Sequence, residues 1–253
     1  MGLLKMDMYR MRKSRFSYVI FAVLMLFFVL ECLVLFGVQD YTAPAGSLSV
    51  MECSQFMIKA DIIIMFIMFF AVRFVSTEFS SGFIKNVYGR EARKVKLFLS
   101  KVGIVAIYTA VIFAAVLMIS VLGQFFFNHE VVFGDAGAGY VRFLLVQYLM
   151  HVAFGTAVLC IATVLQNSAA SMIIGILYIT LGRWIYMILD QKVQDILGLS
   201  DFNLSDYVVF GNLALIDLDS RAGACIRASV VSAVFFVIAV FIGQLVLRKR
   251  DVR

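Results

Sequence analysis

Six long apolar runs, at residues 16 to 38, 56 to 75, 97 to 122, 141 to 165, 168 to 189 and 225 to 247, dominate this chain of 253 residues. Each reaches the roughly 20 residues that an α-helix needs to cross a hydrocarbon core about 30 Å thick. Lipid-facing barrel strands would instead alternate in polarity over about ten residues, a pattern these runs lack. With 63% hydrophobic residues, 15% charged residues, one proline and a mean hydropathy of +0.98, an ordinary soluble domain is excluded. The expected fold class is an all-α integral membrane protein with six transmembrane helices, forming a single transmembrane domain over residues 1–253.

The charges between the runs predict orientation, because Lys and Arg accumulate on the cytoplasmic side. Lys5, Arg10, Arg12, Lys13 and Arg15 precede the first run; Arg73, Lys85, Arg90, Arg93, Lys94, Lys96 and Lys101 surround the loop after the second; Arg248, Lys249, Arg250 and Arg253 end the chain. Sixteen of the 22 basic residues thus share one side. The other side is acidic, with Asp40, Glu52, Glu130, Asp135, Asp190, Asp195, Asp201, Asp206, Asp217 and Asp219. Both termini are therefore expected in the cytoplasm, which requires an even number of spans. Topology and attraction to anionic lipid account for the net charge of +6, so no nucleic-acid partner is expected.

The basic start, first apolar run and Ala43-Pro44-Ala45 also fit a cleaved signal peptide, but the run of about 22 residues exceeds the roughly 7 to 15 of such a segment. It reads as an uncleaved first span. Cys32 and Cys160 fall within spans, whereas Cys53 and Cys225 fall near the outer face, leaving a disulfide between them open. No cysteine or histidine spacing suggests a metal site.

Residues 78–96, "EFSSGFIKNVYGREARKVK", form an island of charge with five Lys or Arg against two Glu. Thr77, Ser80 and Ser81 offer capping hydroxyls, Gly82 interrupts a longer helix, and Gly89 is placed to end a short one. Between the glycines, Phe83, Ile84, Val87 and Tyr88 share one face, while Lys85 and Asn86 point elsewhere. One reading is a solvated loop that only sets topology. The other is a docking helix whose apolar face enters a partner's groove.

That island, with Leu99-Ser100-Lys101 opening the next span, resembles the loop between spans two and three of ABC-2 type transporter permeases. The N-terminal "MDMYRMRKSRFSY" is similar to the family's entry into its first span, and "LRKRDVR" resembles its basic ending. The resemblance implies the ABC-2, type V exporter-like permease fold and a place in a bacterial plasma membrane. It also implies pairing with a second permease subunit, identical or related, and with a separate ABC ATPase subunit. By position, Phe79, Phe83, Ile84, Lys85, Asn86, Val87 and Tyr88 would form the coupling helix to that ATPase, preceded by Glu78, within a coupling loop at 76–96. Residues 1–15, chiefly Leu3 to Ser14, would form an amphipathic segment along the inner surface. The extracytoplasmic segment 190–223 would contain short helices dipping into the membrane, with Asp206 and Asn212 near the ends of "LSDYVVFGNLALI".

The chain has no GxxxxGK[ST] phosphate cradle, so it carries no cofactor of its own in this reading; ATP and Mg would be bound by the partner ATPase. No enzymatic activity is expected of it: it lacks GxSxG, has no Glu-Glu pair, and contains two histidines. The cargo implied by the family is hydrophobic or amphipathic, such as a peptide antibiotic, drug or lipid. The competing class, a secondary transporter or channel without an ATPase, would want several ionisable groups at mid-depth and broken spans in related halves.

Three intramembrane polar residues are candidates for function. Glu31 lies deep in the first span, where an unpaired charge costs at least ~2.5 kcal/mol, and is expected to find a partner inside the bundle, with one of Arg142, Arg183 and Arg227 available. Those arginines lie towards the outer ends of their spans, where snorkelling also accommodates them. His151, mid-depth in the fourth span, reads first as an interhelical hydrogen-bonding residue. Lys59 and Asp61 are expected to begin the second span. Ser171 with Gly175, and Ala224 with Ala228, form small-residue strips suited to packing inside the bundle. The "MFIMFF" run admits two readings, an adaptable wall for cargo and ordinary core or lipid-facing packing.

Overall fold

The computed structural model describes residues 2–42, 48–80, 94–128, 131–135, 137–197 and 203–249. Among them every regular element is helical. In chain order these are α1 (Leu3–Lys13), α2 (Arg15–Thr42), α3 (Val50–Lys59), α4 (Asp61–Ser80), α5 (Lys94–Asn128), α6 (Gly137–Leu165) and α7 (Ser168–Leu197). A 3-10 turn (Leu204–Tyr207), α8 (Val209–Leu215) and α9 (Ala222–Lys249) follow. Five helices are long and apolar enough to cross a membrane: Arg15–Leu35, Asp61–Phe79, Lys96–Phe127, Gly137–Leu165 and Ala222–Arg248. The count among the described residues reaches six where the two arms of α7, Ser168–Gly182 and Trp184–Asp195, which meet at a 51° bend, are taken as one broken span.

The second apolar run does not begin a span at residue 56. Ser49 caps α3 by accepting from the Glu52 amide at 3.2 Å while the Glu52 carboxylate accepts from the Ser49 amide at 2.8 Å, a reciprocal box that nucleates a separate ten-residue helix. The helix stops at Ala60, whose extended backbone (ψ 129°) breaks the hydrogen-bond ladder. Lys59 therefore ends one helix and Asp61 starts another. The helices α2 and α5 also run past the apolar limits of the first and third runs, ending at Thr42 and Asn128, since helical hydrogen bonding continues after hydropathy falls.

At the centre, α6 packs most extensively on α9 and α4. The MFIMFF run belongs to this core: Ile67, Met68 and Phe70 are fully buried, and Phe70 stacks on Tyr108 of α5 with ring centroids 3.8 Å apart. Close approach relies on small residues, as expected: Ser171 and Ala228 are buried, and a side chain at Gly175 would overlap Met68 of α4. By contrast, α2 and α7 expose apolar surface along much of their length, including Val19, Val23 and Phe27 on α2 and Ile173, Leu177 and Leu181 on α7.

The two ends of the bundle differ. At one, α1 lies against the start of α5, and Phe98 of α5 meets Gly243 near the end of α9. This end holds the clustered basic residues and is called the basic end. At the opposite end, α3, the 3-10 turn and α8 cover the bundle. The Asn212 side chain donates to the carbonyls of Asp206 (2.8 Å) and Val208 (3.0 Å), tying the turn to α8. Gly211 has a steric reason to be glycine, because a Cβ there would overlap the Ser205 backbone.

Candidate functional site

At the basic end, charged side chains from three helices meet out of water. Helical spacing places Asp7 and Arg10 of α1 on one face, with Arg10 Nη1 3.3 Å from Asp7 Oδ1. Arg10 also pairs with Glu78, in the last turn of α4. Lys101 of α5 approaches the same carboxylate, its Nζ 2.6 Å from Glu78 Oε2. The Ser100 hydroxyl donates to Asp7 Oδ2 at 2.6 Å. Asp7, Glu78, Ser100 and Lys101 are buried and Arg10 is half-buried. Two carboxylates face two cations, so the set is neutral; its short charge-assisted contacts offset the loss of hydration.

Glu78 and Lys101 also flank the island: Glu78 precedes residues 81–93 and Lys101 follows them. The cluster therefore ties both margins of that loop to α1. Phe79 is half-buried and packs on the core beside Glu78. Phe83, Ile84, Lys85, Asn86, Val87 and Tyr88 lie outside the described residues. The cluster unites Glu78 with residues that were legible only as parts of separate motifs, Asp7 and Arg10 in "MDMYR" and Ser100 and Lys101 in "LSK". Asp7 was the detectable signal, as the one acid in a strongly basic amphipathic helix.

The other candidates do not join this cluster. Glu31 has no ion-pair partner among the described residues, which include the side chains of Arg142 and Arg227 but not that of Arg183. It is half-buried on the wall of a cavity of about 510 Å³ towards the opposite end, together with Leu35, Glu52, Gln55, Phe56 and Lys59. Lys59, on the same cavity wall, pairs with Asp217 in the cover, where Gln55 also donates to Asp217 at 2.8 Å. The arginines at this end are likewise engaged by the cover. Arg142 donates to the Ser220 carbonyl at 2.8 Å, and Arg227 pairs with Asp206 at 2.7 Å. Arg183 falls at the bend of α7, and its side chain lies outside the described residues. His151 is buried, with Nδ1 2.7 Å from the Gln147 carbonyl and its ring edge-on to Phe113. The hydrogen bond is intrahelical, where an interhelical one was expected, and the ring contact with Phe113 reaches α5. Cys53 and Cys225 are both buried and free, so no disulfide joins them.

Five apolar helices and a bent sixth, capped at one end by short helices and tied at the other by a buried ionic cluster, define a multi-pass α-helical membrane protein. Residues 3–182 match the family model described as ABC-2 family transporter protein. The chain belongs to this family, whose members are membrane permeases of ABC transporters. Comparison with curated proteins finds no match.

Proposed function

We propose that this chain is the permease half of an ABC exporter in a bacterial plasma membrane, moving a hydrophobic or amphipathic substrate. It pairs with a second permease subunit and takes its energy from ATP hydrolysed, with Mg, on a separate ATPase. Residues 83–88 dock on that ATPase, and the basic end faces the cytoplasm. The observation that carries this reading is the buried Asp7–Arg10–Glu78–Lys101 cluster. It fastens the two margins of the proposed docking loop to α1 and to the cores of α4 and α5, so a displacement of the loop would be passed to two spans together. A loop that served only as a topology signal would need no such attachment.

Replacing Phe83 and Ile84 by Ala removes two apolar anchors and keeps every charge. Burial of such side chains is worth roughly 1.5–3 kcal/mol each, so loss of both weakens ATPase association about a hundredfold or more. The measurement is co-purification of the ATPase with the tagged permease, alongside membrane yield. Normal yield with lost ATPase is the expected result; retained ATPase and undiminished ATP hydrolysis would refute the docking role. Orientation is tested by impermeant thiol labelling of single cysteines, which should modify a Cys introduced at Asn203 from outside the cell and spare one introduced at Asn86.

A further inference from the structure

A second feature of the basic end is independent of the coupling reading. Between α1, the start of α2 and α4 lies a cavity of about 320 Å³ whose lining, among the described residues, includes the cations Arg10, Lys13 and Arg73 and no acidic residue. The Arg10 charge is offset by Asp7 and Glu78. Lys13 and Arg73 are exposed and have no carboxylate partner among the described residues. They carry a surplus of two positive charges. Aromatic faces steady them: Lys13 Nζ lies 5.9 Å from the Tyr9 ring centroid and Arg73 Cζ lies 5.4 Å from that of Phe16. The hydroxyl residues Ser14, Ser17 and Thr77 complete a polar side to the cavity.

The position of this cavity specifies its occupant further. Ser14 separates α1 from the first span, which begins at Arg15, so the cavity sits where headgroups meet hydrocarbon. From Phe16 the α2 surface continues through Val19, Val23 and Phe27, at helical spacing and all exposed, and Phe27 packs edge-on to Phe66 of α4. A phosphate held by Lys13 and Arg73 would have an apolar track directly beside it. A free anion would leave that track unused, and the ammonium of a zwitterionic headgroup would be repelled by the surplus charge.

We infer that this cavity is a binding site for an anionic phospholipid, its phosphodiester held between Lys13 and Arg73 and its acyl chains along α2. The test is native mass spectrometry of the full-length chain in detergent, given equal amounts of phosphatidylglycerol and phosphatidylcholine with the same acyl chains. The parent should retain phosphatidylglycerol at least tenfold over phosphatidylcholine. Lys13→Gln with Arg73→Gln should reduce the preference to within twofold, and Lys13→Gln alone should give an intermediate value. Lys5→Gln with Lys96→Gln, the same charge change at the same end but outside the cavity, should leave the preference intact. The site is overturned if the parent shows no preference, if the cavity variants keep it, or if the Lys5 and Lys96 variant loses it equally. Displacement of phosphatidylglycerol by an equal concentration of inorganic phosphate would also overturn it, showing an anion site without lipid recognition.

Discussion

The two ends of the bundle use the same residue types under different solvation. At the basic end, the carboxylates of Asp7 and Glu78 and the ammonium of Lys101 are nearly inaccessible. At the opposite end, side-chain exposures are 23% and 46% for Lys59 and Asp217, and 38% and 19% for Arg227 and Asp206. Dry pairs are costly to break, because removing one partner strands the other charge; part-solvated pairs are screened and contribute little. The cover is held mainly by other means, including the Ser49–Glu52 capping box and the close backbone approach at Gly211. Tertiary hydrogen bonds add to these, as where the Gln147 amide donates to the carbonyls of Leu213 and Ile216, each at 3.2 Å. Charge at the basic end thus joins rigid helices at a few contacts, whereas charge at the cover supplements a distributed network.

The contrast is broken most directly at Glu78. Glu78→Ala leaves Lys101 buried without its carboxylate and should cost about 3–5 kcal/mol, read as a fall in thermal stability of the purified permease. Glu78→Met with Lys101→Met removes both charges and leaves Asp7 with Arg10, so most of that stability should return. Transport-coupled ATP hydrolysis should stay low in the double variant if the ion pair transmits loop motion, and recover if the pair only holds the fold.

At the cover the comparably severe substitution is uncharged. Gly211→Ala drives a methyl into the Ser205 backbone, and overpacking of this kind costs typically 1–3 kcal/mol. Protease sensitivity of the segment around the 3-10 turn should rise, with ATPase association unchanged. Equal loss of ATPase binding would show that the two ends are not separable.

Glu31→Gln should have a smaller effect of opposite sign. Removing a half-buried charge that lacks an ion-pair partner among the described residues should raise stability by about 1 kcal/mol, measured as thermal stability in detergent. A loss of stability would reveal a stabilising interaction for the carboxylate. The smallest change is expected for Asp206→Asn, which weakens the partly solvated pair with Arg227. Its cost should stay within about 1 kcal/mol and shrink further in high salt; a cost matching Glu78→Ala would erase the distinction between the ends.

Much of this architecture was legible in one dimension because its causes are local in sequence. Runs such as 97–122 exceed the length of a bilayer crossing whatever their neighbours, and small residues such as Gly175 are suited to close helix contacts. The Ser49–Glu52 box was equally local but masked by hydropathy, since Met57 and Ile58 extend the apolar run of the second span across the helix break. Composition does not register a capping hydrogen bond or the extended backbone of Ala60.

The candidate site was legible only in parts. Asp7, Glu78 and Lys101 each had a place in a motif, and Glu78 alone was put forward as functional. The ion pairs that join them cross 68 residues from Arg10 to Glu78 and 23 from Glu78 to Lys101, while the Ser100 bond to Asp7 crosses 93. No periodicity connects such separations. The pairing of Glu31 was out of reach for the same reason: depth along a span follows from the count of residues, but Arg142 and Arg227 are drawn to Ser220 and Asp206, 78 and 21 residues away. The sequence by itself determined which segments are apolar enough to enter a membrane and the uneven distribution of charge between the ends, because transfer from water depends on each segment's own composition. Tertiary structure decided which charges would be dry, paired and shared between helices, because burial and pairing exist only once α1, α4 and α5 have packed together.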